Sequence, residues 1–272
     1  MECDPWRVAL ASSIGTSHIA TGSPCQDSAT HQFVKTAGGT ILIGVVCDGA
    51  GSAAHSDVGS WLAAQTFAEH VSLFLEQGGA LQSIDRTIAE QWLLETAEAL
   101  EIAARGAGHQ VRDYACTLLV AVVGENSAVF IQVGDGAIVV SEGQDDGWSW
   151  VFWPQHGEFA NTTNFIVSPD VAGLMDFAVS ANRIEEFAIF SDGIENLVLH
   201  QASKTVHAAF FDSMFPPVRA ASAGVDLRLS ERLEQYLSSP RICEKTDDDK
   251  TLILASRRSL VEMQGAGDES GS

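Results

Sequence analysis

The sequence predicts an α+β fold in which two β-sheets pack face to face between outer layers of helices. The order of the periodicities supports this class, because strands come first, a pair of amphipathic helices follows, and strands and then helices return. Hydrophobic residues make up 46% of the 272 residues, which is enough for the shared core of such layers. Because the chain shows no internal repeat and no clear linker, residues 1–258 are predicted to form one domain. The remaining residues, 259–272, are rich in glycine, serine and acids and are expected to be disordered.

The individual elements follow from the same patterns. Two long helices are predicted, from Val58 to about Gly78 and from Ile84 to about Gly106, because apolar residues recur every three or four positions before a glycine. Residues 15–27 are predicted to form a loop. The strands between 116 and 141 are expected to form a meander. Strands are predicted at 6–13, 30–35, 40–47, 116–123, 127–133, 137–141, 148–153, 163–167, 187–191 and 250–256, and shorter helices at 194–199, 202–215 and 223–237.

Aspartates recur at the ends of the apolar runs. Three runs break off at Asp-Gly, and a fourth begins just after three consecutive aspartates. One carboxylate at each of several strand ends would gather hard oxygen ligands at one edge of a sheet, which suits Mg²⁺ or Mn²⁺. A single Asp-Gly is more simply a tight hairpin turn, but the recurrence favours a metal site. The pairs are Asp48-Gly49, Asp135-Gly136 and Asp192-Gly193, and the triplet is Asp247-Asp248-Asp249.

Charge and cysteine content narrow the possible partners and the location. The formal net charge is −21, which disfavours nucleic acid and anionic membranes because both require a positive surface. No segment approaches the ~20 apolar residues that a membrane span needs, and the acidic start does not fit a signal peptide. The five cysteines are odd in number and lack metal-ligand spacing, as expected of a reduced intracellular protein. We therefore expect a cytoplasmic location.

The motifs, taken in order, resemble those of the metal-dependent type 2C protein phosphatase family. The resemblance is strongest to a bacterial branch whose first motif reads Ser-His…Gly…Pro-Cys-Gln-Asp, and it extends from about residue 6 to 255. Each motif alone is weak, but the ordered set is specific. The resemblance implies a four-layer α-β-β-α sandwich of two antiparallel sheets flanked by helices. The matching motifs are Ser17-His18, Pro24-Cys25-Gln26-Asp27, Asp48-Gly49, Cys116-Thr117, Gly134-Asp135-Gly136, 157–163, Ser191-Asp192-Gly193 and Asp248-Asp249-Lys250-Thr251.

The resemblance also implies a metal centre with two Mn²⁺ or Mg²⁺ ions. By motif match, Asp48 bridges both ions and the Gly49 carbonyl is a further ligand. Asp192 and Asp248 hold one of the ions. We choose Asp248 over its neighbour Asp249 because the motif places the ligand three residues before a threonine.

Two further acids are assigned by the same resemblance. Asp27 occupies the position of an acid that orders metal-bound water, and Asp135 matches a position that shares a third, looser ion with Asp192. In this family the nucleophile is a hydroxide that bridges the two ions and attacks phosphorus in line. No covalent phosphoenzyme is needed, and most of the catalysis is electrostatic.

Two positions depart from the family pattern. The family usually carries a phosphate-clamping arginine five residues before the first-motif aspartate, where this chain has Gly22. It often carries a histidine directly after the second-motif Asp-Gly, where this chain has Ala50. His18 and His55 lie nearby in sequence and are candidates for either role. Each is equally well explained as a hydrogen-bonded loop histidine.

The resulting hypothesis is a phosphatase that hydrolyses phosphoserine and phosphothreonine in proteins. A cognate Ser/Thr kinase whose targets the phosphatase resets is the implied partner. The alternative is a weakly active or inactive pseudophosphatase that binds phosphoproteins or regulates a kinase. The departures at Gly22 and Ala50 motivate this alternative, and the retained aspartates oppose it.

Overall fold

The computed structural model describes residues 4–143, 147–155 and 163–258. The strands, in chain order, are β1 (Trp6–Ser13), β2 (Ser28–Thr36), β3 (Gly39–Cys47), β4 (Leu118–Val123), β5 (Ala128–Val133), β6 (Ala137–Ser141), β7 (Ser149–Trp150), β8 (Asp176–Ser180), β9 (Glu186–Phe190), β10 (Leu199–His200), β11 (Thr205–Val206), β12 (Gly224–Val225) and β13 (Lys250–Arg257). The α-helices are α1 (Thr16–Thr21), α2 (Ser56–Glu76), α3 (Arg86–Ala107), α4 (Val171–Leu174), α5 (Glu195–Val198), α6 (Ala208–Arg219), α7 (Leu227–Leu237) and α8 (Pro240–Cys243).

Eleven of these strands form two sheets. The five-stranded sheet has the order β2-β3-β4-β5-β8, and the six-stranded sheet has the order β12-β1-β13-β9-β6-β7. Neighbouring strands are antiparallel, except that the short β12 runs parallel to β1. The strands β10 and β11 form a separate small hairpin.

Strand β3 shows why the apolar runs are continuous instead of alternating. Successive side chains of a strand point to opposite faces of its sheet. Ile41, Ile43 and Val45 pack on the helix-covered face, whereas Leu42 and Val46 pack between the two sheets. Both faces are therefore buried, and both must be apolar.

The helices complete two outer layers. Helices α2 and α3 cover the five-stranded sheet, with Phe67 and Trp92 among the buried side chains of that core. Helices α6 and α7 cover the six-stranded sheet, where Phe211, Phe215 and Leu237 are buried. The order of layers is helix, sheet, sheet, helix, which confirms the predicted α-β-β-α sandwich. Among the described residues, no helix is long and apolar enough to cross a membrane.

Several predicted elements are wrong, and each has a local reason. The predicted meander breaks because β6 joins the other sheet, and Gly134 and Gly136, at φ +99° and +79°, turn the chain between the sheets. Residues 163–167 form no named strand, and β8 pairs with β5 instead. The predicted loop 15–27 contains α1, which buries none of its residues and so leaves no apolar period. The predicted tail 259–272 and most of 157–163 lie outside the described residues.

We predict that Phe187→Ala destabilises the protein by about 3–5 kcal/mol, because the ring is buried between the sheets. Its centroid lies 5.6 Å from that of Trp6, edge to face. Urea unfolding followed by tryptophan fluorescence measures the loss. The control is Val179→Ala, whose side chain is 55% exposed on β8 and whose effect should stay within about 0.5 kcal/mol. Equal effects of the two variants would contradict the assignment of a packed layer between the sheets.

Candidate metal centre

The aspartates predicted to bind metal meet where strands of both sheets end. Asp48 follows β3 of the five-stranded sheet, and Asp192 follows β9 of the six-stranded sheet. Asp27, Asp192 and Asp135 all lie close enough to Asp48 to raise its pKa. Asp248, just before β13, acts in the same way on the pKa of Asp192. The structure therefore brings the five predicted carboxylates together at one edge of the sandwich.

Hydrogen bonds from both sheets fix two of these residues. The Ser191 hydroxyl donates to Asp27 Oδ2 at 2.7 Å and accepts from Thr251 N at 3.0 Å. This links the first motif to β9 and β13. On the other sheet, Asp48 N donates to Thr117 Oγ1 at 2.9 Å, and Thr117 N donates to Asp48 O at 2.8 Å. Asp48 is thus anchored through its backbone and Asp27 through its side chain.

The glycines that follow the aspartates allow the strand ends to approach each other. A Cβ atom on Gly49 would lie 2.6 Å from the Gln26 carbonyl oxygen, and one on Gly193 would lie 1.8 Å from the Asp249 carbonyl oxygen. Neither separation is sterically possible. Asp-Gly is therefore needed here for close backbone contact between motifs that are distant in sequence.

The clustering makes the carboxylates reluctant to ionise together. Burial raises the pKa of Asp27 to about 7, an effect that Asp249 and Asp192 increase and the Ser191 hydrogen bond opposes. Burial and then the Asp135 charge raise the pKa of Asp192 to about 7. Burial, together with Asp27 and Asp192, raises the pKa of Asp48 well above its ordinary value. Like charges in a poorly solvated site repel each other, and only a nearby positive charge removes that penalty.

The side chains of the cluster fit a hard divalent cation. Asp27 Oδ1 and Asp192 Oδ1 are buried and accept no hydrogen bond, which is costly for a carboxylate oxygen and leaves each oxygen available as a ligand. Across the described ranges, no three His, Cys, Asp or Glu side chains converge on one point as a ready metal site. Mg²⁺ retains several water ligands and usually takes only one or two carboxylates. A site that offers a few carboxylate oxygens and leaves other positions to water therefore suits Mg²⁺ or Mn²⁺.

The structure separates the tasks of Asp248 and Asp249. The Asp249 carboxylate is buried and accepts hydrogen bonds from Gly15 N at 2.6 Å and Gln26 N at 2.5 Å. Its Oδ2 also lies 2.8 Å from His18 Nδ1. Asp248 is exposed, and its Oδ1 accepts only from Asp249 N in the bonds described here. Asp249 is therefore committed to positioning the first motif, which favours Asp248 as the ligand.

The two candidate histidines lie in different surroundings. His18 reaches the acidic cluster through Asp249. The His55 ring instead stacks on His109, with centroids 3.9 Å apart, and tilts against Tyr114. The geometry therefore favours His18 over His55 for a role at the site.

Both departures from the family pattern have local explanations. Gly22 ends α1 with φ +75°, a left-handed conformation that favours glycine over a side chain such as arginine. Ala50 is buried in a small apolar cluster with Ala53 and Ala115, and Phe165 packs against it. A histidine at position 50 would place a polar ring in this cluster.

Two residues to which the sequence reasoning gave no role are part of the site. Ser191 bridges Asp27 and β13, as described above. Lys250 is completely buried, and its Nζ donates to the backbone carbonyl of Asp248 at 2.8 Å. Both residues lie within the recognised motifs, directly beside an aspartate. Their position was therefore visible in the sequence, but their contacts depend on the packing of distant segments.

Comparison with known proteins gives consistent matches. The family model described as Protein phosphatase 2C matches residues 14–238. Serine/threonine-protein phosphatase 3 of Escherichia coli (strain K12) is 36% identical over 251 residues, covering 92% of this chain and 98% of that protein. The serine/threonine phosphatase Stp1 from Staphylococcus aureus is 17% identical, with a TM-score of 0.57 over 95% of this chain and 98% of that one. A serine/threonine phosphatase of S. agalactiae is 13% identical, with a TM-score of 0.59 over 93% and 100%. The two structures show that the fold is shared.

We predict that the chelator-treated protein loses thermal stability as pH rises from about 5.5 to about 8. The folded pKa values of Asp27 and Asp192, about 7, exceed their ordinary 3.8, so the folded state binds more protons than the unfolded state between these values. The stability that these protons contribute is complete below about pH 3.8 and is lost as pH rises through about 7. Differential scanning fluorimetry in EDTA measures this trend.

The control is Asp27→Asn, which removes one of the titrating groups and should flatten the pH dependence. Mn²⁺ should raise the melting temperature more at the higher pH, because the ion then competes with fewer protons. A melting temperature in EDTA that increased over this range would contradict the electrostatic account of the cluster.

Proposed function

The chain belongs to the protein phosphatase 2C family, and from this premise we propose that it hydrolyses phosphoserine and phosphothreonine in proteins, using two Mn²⁺ or Mg²⁺ ions. Family membership confirms the resemblance seen in the sequence and the prediction of a protein phosphatase. The observation that carries the finer proposal is the close approach of carboxylates from both sheets, because Asp27 Oδ1 and Asp192 Oδ1 there have no hydrogen-bond partner. A buried carboxylate oxygen without a hydrogen bond is unfavourable unless a cation or an ordered water molecule binds it.

The ligands proposed for the two ions are the Asp48 carboxylate, the Gly49 carbonyl, Asp192 and Asp248. Asp135 would share a third, looser ion with Asp192. When bound, the ions would neutralise the phosphoryl oxygens and acidify a water molecule. This charge compensation is essential in a chain with a formal net charge of −21, because the uncompensated carboxylates would repel a phosphate dianion.

Asp27 is proposed to orient the attacking water. Its Oδ2 is held by the Ser191 hydroxyl, so the carboxylate plane is fixed while Oδ1 stays free to accept a hydrogen bond. Fixed acceptors of this kind reduce the reorganisation that the reaction requires. The Ser191 hydroxyl itself is held by Thr251 N, so the orientation of Asp27 depends on β13.

His18 is proposed to donate the proton to the leaving alkoxide. Its Nδ1 lies 2.8 Å from Asp249 Oδ2, so this nitrogen is engaged with a carboxylate partner. Nε2 is then the nitrogen available to exchange a proton with the substrate. This arrangement supplies a proton donor in a chain that has Ala50 where the family often has histidine.

The pseudophosphatase alternative is not favoured. The departures at Gly22 and Ala50 reflect a helix end and a small apolar cluster, and neither removes a carboxylate from the site.

A cognate Ser/Thr kinase is proposed as the partner that generates the substrate. A cytoplasmic location is proposed on the ground that Cys25, Cys47, Cys116 and Cys243 are all free thiols.

We predict that hydrolysis of p-nitrophenyl phosphate requires Mn²⁺ or Mg²⁺ and is abolished by EDTA and by Asp48→Asn. The loss should exceed the roughly 10–100-fold that removal of an outer-shell partner costs, because Asp48 would touch both ions. The control Asp212→Asn changes a carboxylate on α6, on the outer side of the six-stranded sheet, and should leave turnover unchanged. Matched phosphoserine, phosphothreonine and phosphotyrosine peptides then test the substrate class. Metal-independent turnover would refute the proposed mechanism.

The aspartate triplet provides a separate prediction. Asp248→Asn should raise the Mn²⁺ concentration needed for half-maximal activity by about tenfold or more, because it removes a ligand. Asp249→Asn should keep Mn²⁺ binding closer to the wild type but lower the melting temperature, because the buried carboxylate that joins Gly15 and Gln26 is lost. Asp247→Asn changes an exposed side chain and serves as the control. The reverse ranking of Asp248 and Asp249 in Mn²⁺ affinity would transfer the ligand role to Asp249.

A further inference from the structure

The turn that carries Asp135 is held by side chains. Its two glycines have positive φ, and a Cβ on Gly134 would lie 2.6 Å from Thr117 Cγ2, while one on Gly136 would lie 2.5 Å from the Phe190 carbonyl oxygen. The turn crosses between the two sheets and so lies outside their ladders. Its shape therefore depends on the groups that bond to its backbone.

Gln155 supplies the most extensive of these contacts. Its Oε1 accepts from Gly134 N at 2.9 Å and from Asn164 Nδ2 at 3.1 Å. Its Nε2 donates to the Leu174 carbonyl at 2.8 Å and to Asp176 Oδ2 at 2.7 Å. A primary amide has one acceptor oxygen with two lone pairs and two N–H donors, so the hydrogen-bonding capacity of this side chain is fully used.

Further contacts link the same region to Asp135. The Thr163 hydroxyl donates to Asp135 Oδ2 at 2.7 Å. Gln132, on β5, donates from Nε2 to the Gly134 carbonyl at 3.1 Å. The turn is thus held by Gln132 from β5 and by Gln155 from the segment that follows β7. Gln132 is the ladder partner of Asp176 on β8 through its backbone, whereas Gln155 reaches Asp176 through its side chain.

We propose that Gln155 is a positioning residue that sets the orientation of Asp135 and, through it, the affinity of the weakest of the bound cations. This inference rests on the proposed function, in which Asp135 and Asp192 share a third ion. Gln155 acts through the backbone of Gly134, whose N–H donates to Gln155 Oε1. An amide is required because Gly134 N needs an acceptor while Asp176 needs a donor.

The test is calorimetric titration of Mn²⁺ into the full chain and its Gln155 variants, with melting temperatures measured in parallel. Gln155→Leu should weaken the weakest Mn²⁺ binding event by about tenfold, the scale on which outer-shell partners act on metal affinity. The tighter events should be unchanged. The control is Gln82→Leu, a glutamine that bonds Ser127 at the opposite end of β5 and should leave the isotherm unchanged.

A rescue pair separates positioning from general stability. Gln155→Glu places a second carboxylate beside Asp176 and should weaken the same event. Adding Asp176→Asn to Gln155→Glu restores an amide–carboxylate pair, in which residue 176 now donates and residue 155 accepts. This double variant should recover most of the lost Mn²⁺ affinity. A variant that merely loosened the fold would not be rescued by this exchange.

A double-mutant cycle with Asp135→Asn decides the route of the effect. If Gln155 acts through Asp135, then Gln155→Leu has no further effect on Mn²⁺ affinity in the Asp135→Asn background. Additive effects, or an unchanged isotherm in Gln155→Leu, would overturn the inference while leaving the proposed function intact. Absence of Mn²⁺ binding by the wild-type chain would overturn both.

Discussion

Repulsion among buried carboxylates is the constraint around which this structure is organised. Asp27, Asp48 and Asp192 are all driven towards the protonated state by burial and by the charges of neighbouring carboxylates. A folded domain has only about 5–15 kcal/mol of net stability, so such a cluster is a substantial burden unless its charge is compensated. The sandwich tolerates the cluster because the strands that carry it are anchored by three apolar cores that bury the faces of both sheets. The clustered carboxylates that are proposed to bind the cations are therefore also the groups that destabilise the fold.

Two structural features bring the acids together, namely hydrogen bonds between distant segments and glycines at the strand ends. The Ser191 hydroxyl joins Asp27 to β13, and Thr117 pairs with the backbone of Asp48, so hydrogen bonds hold the strand ends that carry the acids. Glycines remove the side chains that would separate the loops. The neighbouring Asp249 uses its charge for a structural purpose, because three groups of the first motif converge on its carboxylate. Asp249 therefore has a structural task, whereas the exposed Asp248 stays available for the ligand role proposed for it.

The sequence predicted the layers correctly, and the five acids that it named lie near one edge of the sandwich, where their role as ligands stays a prediction. Continuous apolar runs predict strands buried on two faces, and Asp-Gly at their ends marks the edge where ligands gather. Helix α1 and strand β8 were missed because the first buries nothing and the second is a half-exposed edge strand. The assignment of β6 to the other sheet depends on a turn between two glycines, and nothing in the strand period of 137–141 reveals it. The tasks of Ser191 and Asp249 are set by contacts between segments more than 160 residues apart in sequence.

The acids also differ in how rigidly they are held, and this difference predicts an order among the bound cations. Asp48 is fixed by backbone pairing at the end of a central strand, and Asp27 by a buried hydroxyl. The Asp135 carboxylate also accepts from a hydroxyl, that of Thr163, but its backbone lies in a turn whose shape depends on the amides of Gln132 and Gln155. A ligand whose geometry is fixed before binding loses less conformational entropy when a cation arrives, so strand-anchored carboxylates bind more tightly than carboxylates on turns. We therefore expect the proposed third ion to be the most weakly bound, because the turn that carries its proposed ligand Asp135 is held by side chains.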